Sequence, residues 1–162
     1  MRTAYLSLGS NVGDREARLR EALRKLPSER LIIARVSSVY ETAPVDMTEQ
    51  AHFLNAVVEV ETDLFPMQLL ARIQRIERES GRERRVPKGP RTLDIDILLY
   101  GNAIIDSPRL TTPHPRMHLR RFVLEPMAEL APGLRHPVLG RTMAELREEV
   151  LSQSVRRTRI SL

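Results

Sequence analysis

A chain of 162 residues, 41% hydrophobic and 29% charged, has the size of one domain and the composition of a globular protein, so a single domain spanning 1–162 is expected. No apolar run reaches the roughly 18 residues of a membrane helix, and the N-terminus lacks the core of a signal peptide, so a cytoplasmic protein is expected; with no cysteine, a disulfide framework, thiolate chemistry and a Cys-built zinc site are excluded. The net charge is +5, and Arg gathers in 82–91, 109–121 and 156–159, which suits a phosphate-rich partner, either nucleotide or nucleic acid.

In chain order, Thr3 to Gly9 carries apolar and β-forming residues and ends in the turn Gly9-Ser10-Asn11-Val12-Gly13, the pattern of a strand. A helix follows, capped by Asp14, with Leu19, Ala22, Leu23 and Leu26 at helical spacing before Pro27. Leu31 to Tyr40 reads as a second strand, 41–51 as a connecting loop, and Phe53 to Thr62 as a third strand. Pro66 opens the clearest helix, whose buried stripe is Leu69, Leu70, Ile73 and Ile76. Residues 80–92, rich in Arg, Gly and Pro, read as a mobile loop, and Leu93 to Tyr100 as a fourth strand. The order β-α-β-β-α-β is that of the α+β ferredoxin-like arrangement, an antiparallel sheet with both helices on one face and the other face free. Short helices near 116–131 and 142–151 and a last strand near Val155 to Ile160 are expected to follow.

The most informative residues are Asp94 and Asp96 in Leu93-Asp94-Ile95-Asp96-Ile97-Leu98. Strand residues two apart share a face at about 6 to 7 Å, so both carboxylates point one way while Leu93, Ile95 and Ile97 enter the core. Such a pair can hold magnesium, which takes one or two carboxylates and completes its octahedron with water and phosphate oxygens. The plainer reading is an amphipathic strand with a wet acidic face. Gly89-Pro90-Arg91-Thr92 immediately before the strand, with Arg82, Arg84 and Arg85 in the preceding loop, favours the metal reading, because planar guanidiniums hold phosphate oxygens bidentately. Gln74 and Glu77 share a helix face and are ordinary surface residues on their own. His114, in Thr112-Pro113-His114-Pro115, is placed to donate to phosphate or simply to sit in a loop. Phe53 and Phe122 are two of six aromatics (three Tyr, three Phe), fit either for core packing or for sandwiching a flat ring.

Together these stretches resemble one family, the 6-hydroxymethyl-7,8-dihydropterin pyrophosphokinases of folate biosynthesis. The resemblance runs through Ala4-Tyr5-Leu6-Ser7-Leu8-Gly9-Ser10-Asn11, Ser37-Ser38-Val39-Tyr40-Glu41-Thr42-Ala43-Pro44, Phe53-Leu54-Asn55-Ala56, Gln74-Arg75-Ile76-Glu77, Gly89-Pro90-Arg91-Thr92-Leu93-Asp94-Ile95-Asp96, Pro113-His114-Pro115-Arg116-Met117 and Arg121-Phe122-Val123-Leu124. It implies transfer of the β,γ-pyrophosphoryl unit of ATP to the hydroxymethyl oxygen of the pterin, with AMP released. It further implies two Mg2+ ions on Asp94 and Asp96, and Arg82 and Arg91 as the mobile and fixed cations on the phosphates, with Arg84 a weaker candidate for the same work. Gln74, Glu77, Leu98, Arg109, Thr111, His114 and Arg120 match positions that line the ATP site. Phe53 and Phe122 look like the stacking pair for the pterin, while Asn55 and the backbone around Thr42, Ala43 and Val45 look like its edge-reading groups. Loops 41–51 and 80–92 would be lids that exclude water. One departure is Lys88, preceded by Pro87, where many relatives carry an aromatic residue before Gly-Pro-Arg-Thr.

Two other classes compete. An RNA-binding module shares the topology and suits the pI of about 10.4, but its aromatic strand motifs are missing. A two-metal hydrolase would use the same carboxylates but has no use for Phe53, Asn55 and Phe122 as a ring site. A P-loop is absent, so phosphates would be held by metal and Arg. Small-molecule substrates, neither nucleic acid nor membrane as partner, and a monomer are therefore expected.

Overall fold

The computed structural model describes residues 1–11, 13–42, 52–80 and 93–162. Its elements are β1 (Arg2–Ser10), α1 (Arg15–Lys25), β2 (Leu31–Val36), β3 (Tyr40–Thr42), β4 (Phe53–Thr62), α2 (Pro66–Glu79) and β5 (Asp94–Tyr100). They continue with a small hairpin of β6 (Ile105–Asp106) and β7 (Thr111–Thr112), a 3-10 turn at Met117–Leu119, α3 (Arg121–Leu130), α4 (Met143–Glu148) and β8 (Arg156–Arg157). The main sheet is antiparallel in every pairing, in the order β5-β1-β4-β3-β8, with β2 on β4 beside β3. This is the expected ferredoxin-like order, with the second strand divided in two.

The division has a cause in one side chain. Ser37 Oγ accepts the Val57 backbone N–H at 2.8 Å while the Ser37 N–H donates to the Val57 carbonyl at 2.9 Å. A side-chain oxygen thus replaces a ladder carbonyl and interrupts the strand. The first helix starts as predicted, with Asp14 Oδ1 accepting the Ala17 N–H at 3.0 Å. Pro66 opens α2 with φ fixed by its ring near the helical value, and Gln68 Oε1 accepts the Phe65 N–H at 2.9 Å.

Strand alternation sends Ala4, Leu6 and Leu8 of β1, Leu54 to Val60 on even positions of β4, and Ile95 and Ile97 of β5 to one face, where α1 and α2 cover them. The other face is not free. Tyr5, Val57 and Leu99 pack there against Val123, Leu124 and Met127 of α3 and Met143 and Leu146 of α4. The expectation of an open second face fails because the segment beyond residue 101 carries its own apolar stripe, which needs a partner. A β-bulge helps: β5 shifts register against β1 between Tyr5 and Leu6, leaving Leu98 extra, so that Leu98 and Leu99 both enter this second core.

The helix expected over 116–131 is a 3-10 turn and α3, separated by Arg120 in an extended conformation (φ −123°, ψ 113°). The last strand shrinks to Arg156–Arg157, paired with Glu41 and Tyr40. Because α3 and α4 cover only the Tyr5 end of the second face, the Ser7 and Gly9 end is left to a cavity. No helix among the described residues is long and apolar enough to cross a membrane.

Candidate active site

That cavity, about 820 Å³, opens on the second face of the sheet. Its floor follows from strand register. Gly9 of β1 lies between Asp94 of β5 and Asn55 of β4, and Ser7 lies opposite Asp96. Asp94, Asp96, Ser7, Gly9, Asn55, Phe53 and Thr42 all line it. The Asp pair therefore shares one face as alternation requires, with Asp94 half-buried and Asp96 exposed, while Ile95 and Ile97 are buried behind it.

Among the described residues no three His, Asp or Glu converge on one point. Two carboxylates facing one cavity, Asp94 half-buried and Asp96 exposed, fit a hard cation that draws its other ligands from water and phosphate. His114 stands near Asp96. Its backbone N–H donates to the Leu98 carbonyl at 2.8 Å, and its Nδ1 accepts the Arg116 N–H at 3.1 Å, which leaves the ring proton of the neutral form on Nε2. Burial holds the imidazole below its ordinary pKa; the Asp96 charge opposes this, and Arg120 and Arg116 reinforce it.

The other end of the cavity is aromatic. Phe53 and Phe122 line it, both half-buried, and the Arg120 guanidinium carbon lies 5.5 Å from the Phe122 ring centroid, within cation–π range. Asn55 is 4% exposed, and its Nδ2 donates to Thr42 Oγ1 at 2.9 Å. A Cβ on Gly9 would come within 3.1 Å of Asn55 Oδ1, so glycine there is what lets the amide lie across β1.

The strand carrying Thr42 is fixed from both sides. Arg156 Nη2 at 2.6 Å and Arg15 Nη1 at 3.1 Å hold Glu41, and the two guanidiniums keep its carboxyl below the usual range. The Tyr40 hydroxyl donates to Glu129 at 2.7 Å, and its phenol is pushed up by burial and by that carboxylate.

Of the residues singled out in the sequence, Asp94, Asp96, Thr42, Phe53, Asn55, Phe122 and Arg120 come together in this cavity. Gln74, Glu77, Leu98, Arg109, Thr111 and His114 do not line it. Glu77 is not the surface residue that its helix position suggested: it is 7% exposed, and its Oε2 accepts the Ile95 N–H at 3.0 Å, tying α2 to the strand that bears the Asp pair. Leu98 is buried in the second core, and its carbonyl accepts the His114 backbone N–H. Arg109 is exposed and Thr111 half-buried on β7. Ala43, Val45, Arg82, Arg84, Lys88 and Arg91 lie outside the described residues.

The cavity also contains residues that sequence reasoning missed: Ser7, Gly9, Arg116, Leu119 and the segment Gln153, Ser154, Val155. Alternation along β1 could have found Ser7 and Gly9. Nothing in the local sequence marks 153–155, which arrive by the return of the chain after α4.

The chain matches the family model described as 7,8-dihydro-6-hydroxymethylpterin-pyrophosphokinase (HPPK) over residues 5–132. It is 51% identical over 128 residues to the 2-amino-4-hydroxy-6-hydroxymethyldihydropteridine pyrophosphokinase of Bacillus subtilis, covering 78% of this chain and 77% of that protein. To the Aquifex aeolicus protein of the same name it is 42% identical over 149 residues, covering 92% of each. Among solved structures it resembles wild-type Plasmodium falciparum HPPK-DHPS with a TM-score of 0.75 and 17% identity, a likeness of fold. The alignment covers 93% of this chain and 43% of that one, so the chain spans less than half of the Plasmodium protein.

Proposed function

The chain belongs to the 7,8-dihydro-6-hydroxymethylpterin-pyrophosphokinase family and has its activity in folate biosynthesis, and we propose that the sheet-face cavity is where that reaction runs. In the reaction, the pterin hydroxymethyl oxygen bonds to the β-phosphorus of ATP. The bond from that phosphorus to the α,β-bridging oxygen breaks, AMP leaves with the electron pair, and the hydroxyl proton passes to solvent. The observation that carries the placement is that one cavity of about 820 Å³ holds the Asp94 and Asp96 carboxylates at one end and Phe53, Asn55 and Phe122 at the other.

Asp94 and Asp96 would hold Mg2+, which when bound neutralises phosphate charge and makes the hydroxyl easier to deprotonate. Phe53 and Phe122 stack on the pterin faces, and Asn55, oriented by Thr42 at 2.9 Å, reads its polar edge. Arg120 meets the phosphates or the adenine end of ATP, and His114, neutral with its proton on Nε2, donates a hydrogen bond to phosphate without adding charge next to Asp96. Arg82 and Arg91 act as further phosphate cations, with Arg84 in support. Gln74, Glu77, Leu98, Arg109 and Thr111 serve ATP at the margin of the site, Glu77 by fixing the start of β5, and the backbone at Ala43 and Val45 completes the pterin edge. Residues 1–162 work as one domain, supported by two hydrophobic cores that share one sheet, in a cytoplasmic monomer.

The test is a product assay with ATP, Mg2+ and 6-hydroxymethyl-7,8-dihydropterin that separates AMP from ADP, repeated with Asp94→Ala and Asp96→Ala. AMP and pterin diphosphate should appear together, only with pterin present, and be largely lost in both variants. ADP formed without pterin would favour a hydrolase, and RNA binding without nucleotide turnover would favour the RNA-binding reading.

A further inference from the structure

Gln153 has no helix or strand to hold it and lies 32 residues beyond Arg121 in the chain, yet its side-chain amide grips the two peptide units on either side of Arg120. Its Oε1 accepts the Arg121 backbone N–H at 2.9 Å, and its Nε2 donates to the Leu119 carbonyl at 2.7 Å. Arg121 answers with its side chain: Nη1 donates to the Gln153 carbonyl at 2.8 Å and to the Leu151 carbonyl at 3.1 Å, while Nε bonds Glu125 Oε2 at 3.0 Å.

The position of these bonds gives them their consequence. The peptide unit before Arg120 is held through its carbonyl and the one after it through its N–H, so one planar group bears on both φ and ψ of Arg120, beside the bonds its own carbonyl accepts from Val123 and Leu124. Arg120 is the break between the 3-10 turn and α3, and it has no side-chain cap of its own. The first N–H groups of a helix lack intrahelical partners, and here Gln153 satisfies one of them from a distant segment. Pivoting at Arg120 is the backbone motion that would swing its guanidinium and the Phe122 ring relative to the Asp pair. The amide offers a donor and an acceptor on one plane; a carboxylate in its place would set an anionic oxygen against the Leu119 carbonyl. The same residue reaches the cavity wall beside Ser154 and Val155.

We propose that Gln153 is a positioning residue for the transfer reaction, setting Arg120 and Phe122 for the nucleotide and the pterin through the two peptide units that flank Arg120. This rests on the placement of the two substrates given above. The experiment is steady-state kinetics and thermal unfolding of the full chain with Gln153→Ala and Gln153→Glu, and with Ser152→Ala as a neighbouring exposed control.

Loss of two hydrogen bonds of ordinary net strength corresponds to about a tenfold effect. The KM values for pterin and ATP should therefore rise about tenfold in both Gln153 variants, with kcat reduced less than about threefold, because the clamp sets binding geometry. Ser152→Ala should match the wild type. A merely structural role would lower the active fraction, so apparent kcat and Tm would fall with KM unchanged; that result, or unchanged kinetics, overturns the proposal while leaving the site assignment intact. A wild-type chain with no pterin-dependent AMP formation overturns both.

Discussion

Replacing Gly9 by Ala adds one methyl group at the point where the carboxylate end and the aromatic end of the cavity meet. The new Cβ would lie 3.1 Å from Asn55 Oδ1, with the Leu54 carbonyl next at 4.0 Å. Relief therefore has to come from the amide, which must move by a few tenths of an ångström. That amide is 4% exposed and tied to Thr42 Oγ1 at 2.9 Å, so the shift strains or breaks a buried hydrogen bond. A net cost of about 1 kcal/mol follows, and for a chain of this length a Tm lower by about 2–4 °C. The pterin edge loses a well-aimed, buried partner, which weakens its binding about tenfold. ATP should bind as before, since neither Asp94, opposite Gly9, nor Asp96, opposite Ser7, is among the atoms the methyl group meets. Titration of pterin by its own fluorescence, with ATP binding measured separately, reads both numbers. Equal pterin affinity in Gly9→Ala and wild type would refute the role given to Asn55, and an equal loss for ATP would refute the division of the cavity into two ends.

Asp94→Asn and Asp96→Asn should each lower kcat/KM by about 10² to 10³, because each removes one of the two carboxylates that would hold Mg2+; the AMP assay checks the pair. Leu124 is fully buried in the second core, next to the Phe122 turn. Its replacement by Ala should cost about 2–5 kcal/mol in urea unfolding, and a loss under about 1 kcal/mol would show that α3 contributes little to stability. Glu59 is held below the ordinary carboxylate pKa by Arg35, at 2.7 and 3.0 Å, and by the Tyr5 hydroxyl at 2.6 Å. With the folded value depressed, its contribution is complete above pH about 4.5 and is lost as pH falls through the lower folded value. The stability gap between wild type and Arg35→Ala should be under about 1 kcal/mol at pH 7, because Arg35 is half-exposed, and should narrow and close as pH falls below about 4.5 in thermal scans.

The strands and helices were legible because period-two and period-3.6 patterns are written locally: Asp94 and Asp96 share a face for the same reason that Ile95 and Ile97 are buried, and Asp14 and Pro66 mark helix starts by chemistry that acts within four residues. The reaction class was legible too, through the motif around Asp94 and the aromatic and amide residues of the resemblance. What could not be read is everything that depends on which surface meets which. The second face of the sheet was expected to be open, and α3 and α4 cover half of it, since an apolar stripe on a helix announces a need for a partner without naming one. Glu77 looked like a surface residue until the start of β5 came against it and made it a buried acceptor. Ser37 divided a strand through a bond to Val57, twenty residues away, and Gln153 reached the wall of the site from beyond α4. Backbone pattern and local capping depend on neighbours a turn or a pleat away, and the sequence determines them by itself; the closing of the cavity depends on contacts between segments far apart in the chain, whose geometry exists only after the sheet has twisted and the helices have packed.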